Sequence, residues 1–391
     1  MADHLMATYA RLPVQFEHGD GIWLWDSDGR QYLDALSGIA VCALGHAHPG
    51  VSQALADQAG RLVHTSNLYG IGLQEQLAAR LCALSGMEQV FFCNSGAETN
   101  EAAIKIARLY GHSKDITCPA IIVMENSFHG RTMATLTATG NRKVQAGFEP
   151  LVRGFIRTPF NDLDAIRTIA ATKSDTVAVL VEPVQGEGGI NIPDPGYLEG
   201  VRQICDAEGW LMMLDEIQTG IGRTGEWFAF QHEKLLPDVV TVAKALGNGV
   251  PIGACLAKGT ATELLQPGSH GTTFGGNPLS ARAAMAVLDT IESEQLVANA
   301  GTIGKQLLAG FRNSLADVDG ITDIRGSGLM IGIELDRPCG ELVREALERG
   351  LLINVTANRV VRLLPPLITT EHQADMIIEK VSELIREFLA E

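Results

Sequence analysis

A lysine, an aspartate, an arginine and a glycine-bearing turn in this chain are placed so that together they could work on an amine and a carbonyl. Lys244 stands in Thr241-Val-Ala-Lys-Ala-Leu-Gly-Asn-Gly249, just before Pro251-Ile-Gly253. Such a setting turns the backbone tightly beneath a ligand, and burial there lowers a lysine's pKa and makes it nucleophilic. Asp215 follows the apolar run Trp210-Leu-Met-Met-Leu214. An aspartate delivered by so apolar a strand is costly to bury without a cation beside it. Asn94-Ser-Gly-Ala-Glu98 lies between a predicted strand and a predicted helix. Its free amides, the helix dipole and the Ser95 hydroxyl favour a dianionic phosphate. In Phe128-His-Gly-Arg131 the aromatic offers a face to a planar ring, and the arginine a fork for a carboxylate.

Each piece also fits a plainer reading. Asp215 suits a helix N-cap or turn, Lys244 a surface lysine at a strand end, and Asn94-Ser-Gly96 a common turn; His129 reads as a packed or surface histidine. Taken jointly, the amine, the anion, the phosphate cup and the carboxylate fork are what pyridoxal phosphate demands of a protein that moves amino groups. Two other patterns lead nowhere. Gly220-Ile-Gly-Arg-Thr-Gly225 spells a dinucleotide fingerprint, but Glu216-Ile-Gln-Thr219 separates it from its strand and aromatics, not a helix, follow it. His46-Ala-His48 lacks a third metal ligand nearby.

The elements that must position these residues alternate. Strands are predicted at Val90–Cys93, Ala120–Met124, Val177–Val181, Trp210–Leu214, Val239–Val242 and Ile252–Leu256, with helices at Ala97–Tyr110, Leu163–Ala171 and Gly196–Glu208 between them. Short apolar strands separated by amphipathic helices predict an α/β fold with a mostly parallel sheet covered on both faces. Long helices at Asn277–Glu292 and Gln295–Leu315 leave it. Strands at Ile321–Arg325, Met330–Glu334, Leu351–Ile353 and Val360–Leu363, among helices at Glu341–Arg349 and Glu371–Leu389, predict an α+β unit. The chain divides as an N-terminal arm at 1–50, packing with a small domain at 296–391, and a large domain at 51–295.

Composition excludes several classes. A formal charge of −16 over 391 residues, with no basic block, argues against nucleic acid and anionic membrane surfaces. No run approaches the ~18 apolar residues of a membrane span, and residues 1–11 do not read as a secretory signal. Seven cysteines without a C-x-x-C spacing read as small buried hydrophobes in a reducing compartment, so the cytoplasm is expected.

Six ordered stretches go further: Ser37-Gly-Ile-Ala-Val41, Asn94-Ser-Gly-Ala-Glu98, Ser127-Phe-His-Gly-Arg131, Glu182-Pro-Val-Gln-Gly-Glu187, Leu214-Asp-Glu-Ile-Gln218 and Gly271-Thr-Thr-Phe-Gly-Gly-Asn277. In these the chain resembles the class III (ornithine-type) pyridoxal-phosphate aminotransferases, from Thr8–Pro13 to Val361–Pro366. The resemblance implies a fold-type I subunit and a homodimer with sites at the subunit interface. It implies pyridoxal 5'-phosphate joined to Lys244, Asp215 on the ring nitrogen, Gln218 on the ring hydroxyl, and Ile217 and Phe128 on the two ring faces. Ser95, Gly96 and Ala97 would hold the phosphate, with Thr273 reaching it from the partner subunit and Thr272 beside the substrate. Arg131 would bind the donor's α-carboxylate, and Glu187 would mask Arg362 until 2-oxoglutarate or glutamate binds. Tyr9 would border the pocket. The implied reaction moves the terminal amino group of N-acetylornithine to 2-oxoglutarate in arginine biosynthesis. Ornithine, succinylornithine, N-succinyl-diaminopimelate and 4-aminobutyrate are the alternative donors. One departure is Thr99, where a small apolar residue is more usual.

Overall fold

The structure is a computed structural model and describes residues 4–390; residues 1–3 of the arm and Glu391 lie outside the described residues. The arm leads into a meander of β1 (Phe16–Asp20), β2 (Trp23–Asp26) and β3 (Gln31–Asp34). The turn between β2 and β3 is set by Asp26, whose Oδ1 accepts the amides of Asp28 at 3.0 Å and Arg30 at 2.9 Å while Gly29 takes φ +77°.

The central sheet holds β4 (Gln89–Cys93), β5 (Ala120–Met124), β6 (Phe155–Thr158), β7 (Thr176–Val181), β8 (Leu211–Asp215), β9 (Val239–Val242) and β10 (Gly253–Ala257), in the order 4-10-9-8-7-5-6. All pairings from β9 to β6 are parallel; β10 alone runs against its neighbours β9 and β4. The reason is length. Residues 243–252, which carry Lys244, are too few for the crossover that a parallel partner needs. Every residue of β5, β7, β8, β9 and β10 is buried. Alternate residues point to opposite faces: Leu211 and Met213 join one apolar cluster, Met212 and Leu214 the other. Helix Gly96–His112 covers the first face and helix Tyr197–Glu208 the second.

Beyond helices Pro278–Ser293 and Leu296–Ser314 the chain forms β11 (Ile321–Ser327), β12 (Met330–Leu335), β13 (Leu351–Leu352), β14 (Asn354–Thr356) and β15 (Val360–Leu363). Four of these make an antiparallel sheet ordered 11-12-15-14, and β13 departs to pair in parallel with β3. Strands β1, β6 and β14 were absent from the sequence expectation, and most other ends moved by a residue or two. The cysteine expectation needs correcting. Cys118 is exposed beside Pro119 in the loop before β5, and Cys42 and Cys82 are half-buried; the other four are buried. Among the described residues no helix is long and apolar enough to cross a membrane.

The Gly220–Gly225 stretch has a structural role instead. Arg223 is fully buried and donates to the carbonyls of Leu329 and Pro365, while Leu329 N donates back to Arg223 O at 2.9 Å. It straps the central sheet to the C-terminal one.

Candidate active site

Strands β4, β5, β7, β8 and β9 all end at the same edge of the central sheet, where ligands bind in open α/β folds. Asp215 is the last residue of β8 and pairs with Thr241 of β9, so Lys244 emerges one strand away. The residues after β4 (Asn94 to Ala97), after β5 (Phe128 to Arg131) and after β7 (Glu182) meet them around a cavity of ≈ 450 Å³. That lies within the ~300–1,000 Å³ of ordinary cofactor sites. Val41 closes one wall. It follows a rare left-handed turn in which Ser37, Gly38, Ile39 and Ala40 all have φ between 48° and 65°. Each non-glycine residue there costs about 1–2 kcal/mol. Asp34 offsets this, its Oδ1 accepting the amides of Leu36 (2.9 Å) and Ser37 (2.8 Å), and Ser37 Oγ donates to Leu364 O at 2.7 Å.

Asp215 is 4% exposed and heavily supported. Its Oδ2 accepts from Asn100 Nδ2 and His129 Nδ1, each at 2.7 Å, and its Oδ1 from Ile217 N at 3.1 Å. Thr241 Oγ1 in turn donates to Asn100 Oδ1 at 2.8 Å. His129 is therefore packed, and its ring is spent on orienting Asp215. The next acid in sequence does something else: Glu216 is buried away from the cavity and accepts from Thr219 Oγ1, Ala229 N and Phe230 N. Burial pushes its carboxyl up to about 7.

Lys244 is half-buried with φ 43°. Loss of hydration lowers its amine to about 8, against the pull of Glu187, which favours the charged form; Arg362 adds to the lowering. Helix Gly96–His112 begins at the cavity with Ser95 as its N-cap, the hydroxyl accepting Glu98 N at 3.3 Å and keeping its own proton to donate. Glu98 closes the loop by accepting Asn94 N at 2.5 Å. A Cβ on Gly96 would sit 2.6 Å from Ile217 Cδ1, so only glycine lets these two walls approach. Thr99, the departure noted in the sequence, donates to Gly96 O at 2.7 Å within the same turn and leaves the cup unchanged.

Arg131 is exposed at the cavity mouth, its guanidinium 5.6 Å from the Phe128 ring centroid, and has no acidic partner among the described residues. Glu187 and Arg362 form an ion pair, Oε1 to Nη1 at 2.6 Å, with Arg362 wholly buried and Glu187 partly exposed. Burial pushes the Glu187 carboxyl up, but Arg362, with help from Lys244 and Gln218, outweighs it and holds the group below the usual range. Gln218 Nε2 lies 3.4 Å from Glu187 Oε1. Thr272 sits to one side, its Oγ1 3.3 Å from Asn94 Nδ2. Thr273 is exposed and does not line this cavity, and Tyr9 is also exposed and apart from it.

Several residues here had no assigned role in the sequence reading. Asn100, one helical turn beyond Gly96, and Thr241, inside an apolar strand, carry no local signal of their contact with each other or with Asp215. Glu182 stood in a quoted motif without a role. It lines the cavity, accepts Phe128 N at 2.8 Å and Gly186 N at 3.2 Å, and is raised to about 7 by burial.

The donor set fits pyridoxal phosphate. It provides an amine of lowered basicity and an oriented anion in range of it. It also provides a helix N-terminus with a free hydroxyl proton, and flat walls from Phe128 and Ile217. Two buried polar atoms near the cavity, Gln218 Oε1 and His129 Nε2, lack a hydrogen-bond partner among the described residues. Gln218 lines the cavity, so its unmatched carbonyl oxygen suits the ring hydroxyl.

Comparison with known proteins agrees. The family model for class-III aminotransferases matches residues 5–385. A relative from Nitrosomonas europaea named acetylornithine aminotransferase is 60% identical, over 99% of this chain and 98% of its own. The fold superposes with TM-score 0.95 and 33% identity on an ornithine aminotransferase of Toxoplasma gondii, over 99% of this chain and 93% of that one; that structure is described as having partial PLP occupancy at its active site. It superposes with TM-score 0.88 and 34% identity on the acetylornithine aminotransferase of Elizabethkingia anophelis, over 98% of this chain and 97% of that one. With the motif order, the fold and the cofactor cavity all in agreement, the chain belongs to the class-III aminotransferases and works with pyridoxal phosphate.

Proposed function

We propose that the chain moves the terminal amino group of N2-acetyl-L-ornithine to 2-oxoglutarate, giving N-acetyl-L-glutamate 5-semialdehyde and L-glutamate, as a step of arginine biosynthesis. The carrying observation is the contrast between two arginines at one site: Arg131 unpaired at the mouth, Arg362 buried and masked by Glu187. An enzyme that takes two unlike substrates in turn, an amino donor and a keto-acid acceptor, needs one carboxylate fork always open and one that opens on demand. The relatives' acetylornithine name supports the choice of first donor.

When bound, pyridoxal phosphate supplies an electron sink for the carbon that bears the amino group. In this reading Lys244 Nζ holds the cofactor covalently at rest. Freed from that bond, its amine would be the base that takes the proton from the donor's amine-bearing carbon and the acid that gives it back. Asp215, held by Asn100 and His129, keeps the ring nitrogen protonated, and Gln218 faces the ring hydroxyl. Phe128 and Ile217 fix the ring plane. Ser95 with the Gly96 and Ala97 amides anchors the phosphate. Arg131 would bind the donor's α-carboxylate and leave its far amine at the cofactor, with Thr272 alongside. In the second half, Glu187 releases Arg362 for the α-carboxylate of 2-oxoglutarate.

The reading includes a homodimer in which Thr273 reaches the partner's phosphate site. Exposed apolar side chains support this: Leu68 (86%), Tyr69 (69%) and Phe274 (60%). It also includes the arm and residues 296–391 as one small domain against the large domain at 51–295, and a cytoplasmic setting, which seven free thiols suit.

Two results test it. Arg131→Ala should raise the KM for acetylornithine roughly 10- to 100-fold, and Glu187→Ala should lower that for 2-oxoglutarate while eroding preference for the acetylated donor. Equal or better turnover of free ornithine by the native enzyme would reject the donor named here. pH gives a separate check. The neutral amine of Lys244 is the nucleophile, so capture of pyridoxal phosphate by cofactor-free protein should quicken as pH rises toward about 8 and level off above it. Stopped-flow absorbance reads this directly; a rate that still climbs steadily beyond pH 9.5 (about one and a half units higher) would place the amine in water.

A further inference from the structure

Arg362 has three nitrogens in a fully buried side chain, and their partners are unlike. Nη1 donates to Glu187 Oε1 at 2.6 Å, Nη2 donates to Asn354 Oδ1 at 2.8 Å, and Nε has no partner among the described residues. Asn354 is no chance neighbour. It lies directly opposite Arg362 in the β14–β15 pairing, so both side chains rise from the same face of the sheet. Strand β15 is interior and β14 is the edge, so the arginine is set on the firmer strand and the asparagine is brought to it by a short hairpin. Two residues further along β14, Thr356 Oγ1 donates to Glu187 O, so the same three-residue strand touches both members of the ion pair.

We infer that Asn354 is a positioning residue that keeps the Arg362 guanidinium in place while its carboxylate partner changes. The inference rests on the masked-arginine reading above. Its chemistry is a matter of charge. A buried guanidinium that loses Glu187 must keep some acceptor or swing out of register. A neutral amide oxygen fills that need without competing with the incoming carboxylate. An aspartate at the same place would satisfy the arginine electrostatically and remove its reason to bind 2-oxoglutarate. An apolar residue would leave Nη2 without an acceptor, free to rotate onto the second Glu187 oxygen and tighten the mask. Only a short, neutral, accepting side chain gives a fork that is both fixed and available.

The two half-reactions are separately visible by stopped-flow absorbance of the holoenzyme: acetylornithine consumes the aldehyde form of the cofactor, and 2-oxoglutarate consumes the aminated form. Asn354→Asp should raise the half-saturating concentration of 2-oxoglutarate roughly 10- to 100-fold. That of acetylornithine should change by less than about threefold, since its fork is Arg131. Should the aspartate variant not fold, Asn354→Ala carries the test, with a shift of about tenfold confined to the same half. Glu187→Ala is run alongside. A shift there with equal slowing of both halves, or of neither, in the Asn354 variants overturns the positioning role and spares the masked-arginine reading. No shift in Glu187→Ala removes that reading, and this inference with it.

Discussion

Lys244→Ala is expected to slow amine transfer on the order of 10⁴-fold or more while leaving the protein folded. In the proposed function the size follows from two losses in one substitution: the covalent hold on the cofactor and the amine that moves a proton at the reacting carbon. The fold should tolerate the change. Lys244 already has φ 43°, which alanine bears no worse than lysine, and among the described residues its side chain makes no hydrogen bond. Removing a cation whose amine is depressed to about 8 by burial also relieves an unfavourable desolvation. Steady-state assay with acetylornithine and 2-oxoglutarate, paired with a thermal melt, separates the two effects. A variant that keeps a tenth or more of its activity would mean another group does this work.

The second large effect is at Asp215. Asp215→Asn should cut kcat on the order of 10³-fold, because in the proposed function its fixed negative charge supports the cofactor ring. Unlike Lys244, it should also cost stability. An asparagine must turn its NH₂ either toward Ile217 N, if its oxygen keeps Asn100 Nδ2 and His129 Nδ1, or toward those two donors, which now converge on one carboxylate oxygen. Leaving a buried donor unmatched costs about 1–3 kcal/mol. Loss of activity together with a lower melting temperature and weaker cofactor retention is therefore the predicted pattern. Full kcat with only a lower melting temperature would assign Asp215 to structure alone.

How far these residues were legible in the sequence depends on where their partners lie. Strands β9 and β15 appear with the boundaries their apolar runs predict, and Asp215 is found as the last residue of β8, one place beyond the predicted edge. Strong local patterns survive folding. The network beneath Asp215 was hidden because Asn100, His129 and Thr241 are each unremarkable in their own segment, and only the packing of one helix on three strand ends brings them together. His129 was read as a packed or surface histidine; it is buried, and its ring orients the anion. Strand β14 is three residues long and rests on its pairing to β15, so no periodicity announces it, and Asn354 had no visible neighbour until the hairpin closed. The dinucleotide-like glycines follow their strand after a four-residue gap and carry Arg223, buried between two sheets, a role that has no signature in sequence.

The most direct measurement is reductive trapping. Treating the holoenzyme with borohydride fixes the coenzyme to whichever side chain carries it, and a peptide map then identifies that side chain. The account predicts one phosphopyridoxyl group per chain, on the peptide that spans Val242 to Pro251, at Lys244. A label on a different lysine, or a fully active enzyme that yields none, would contradict it.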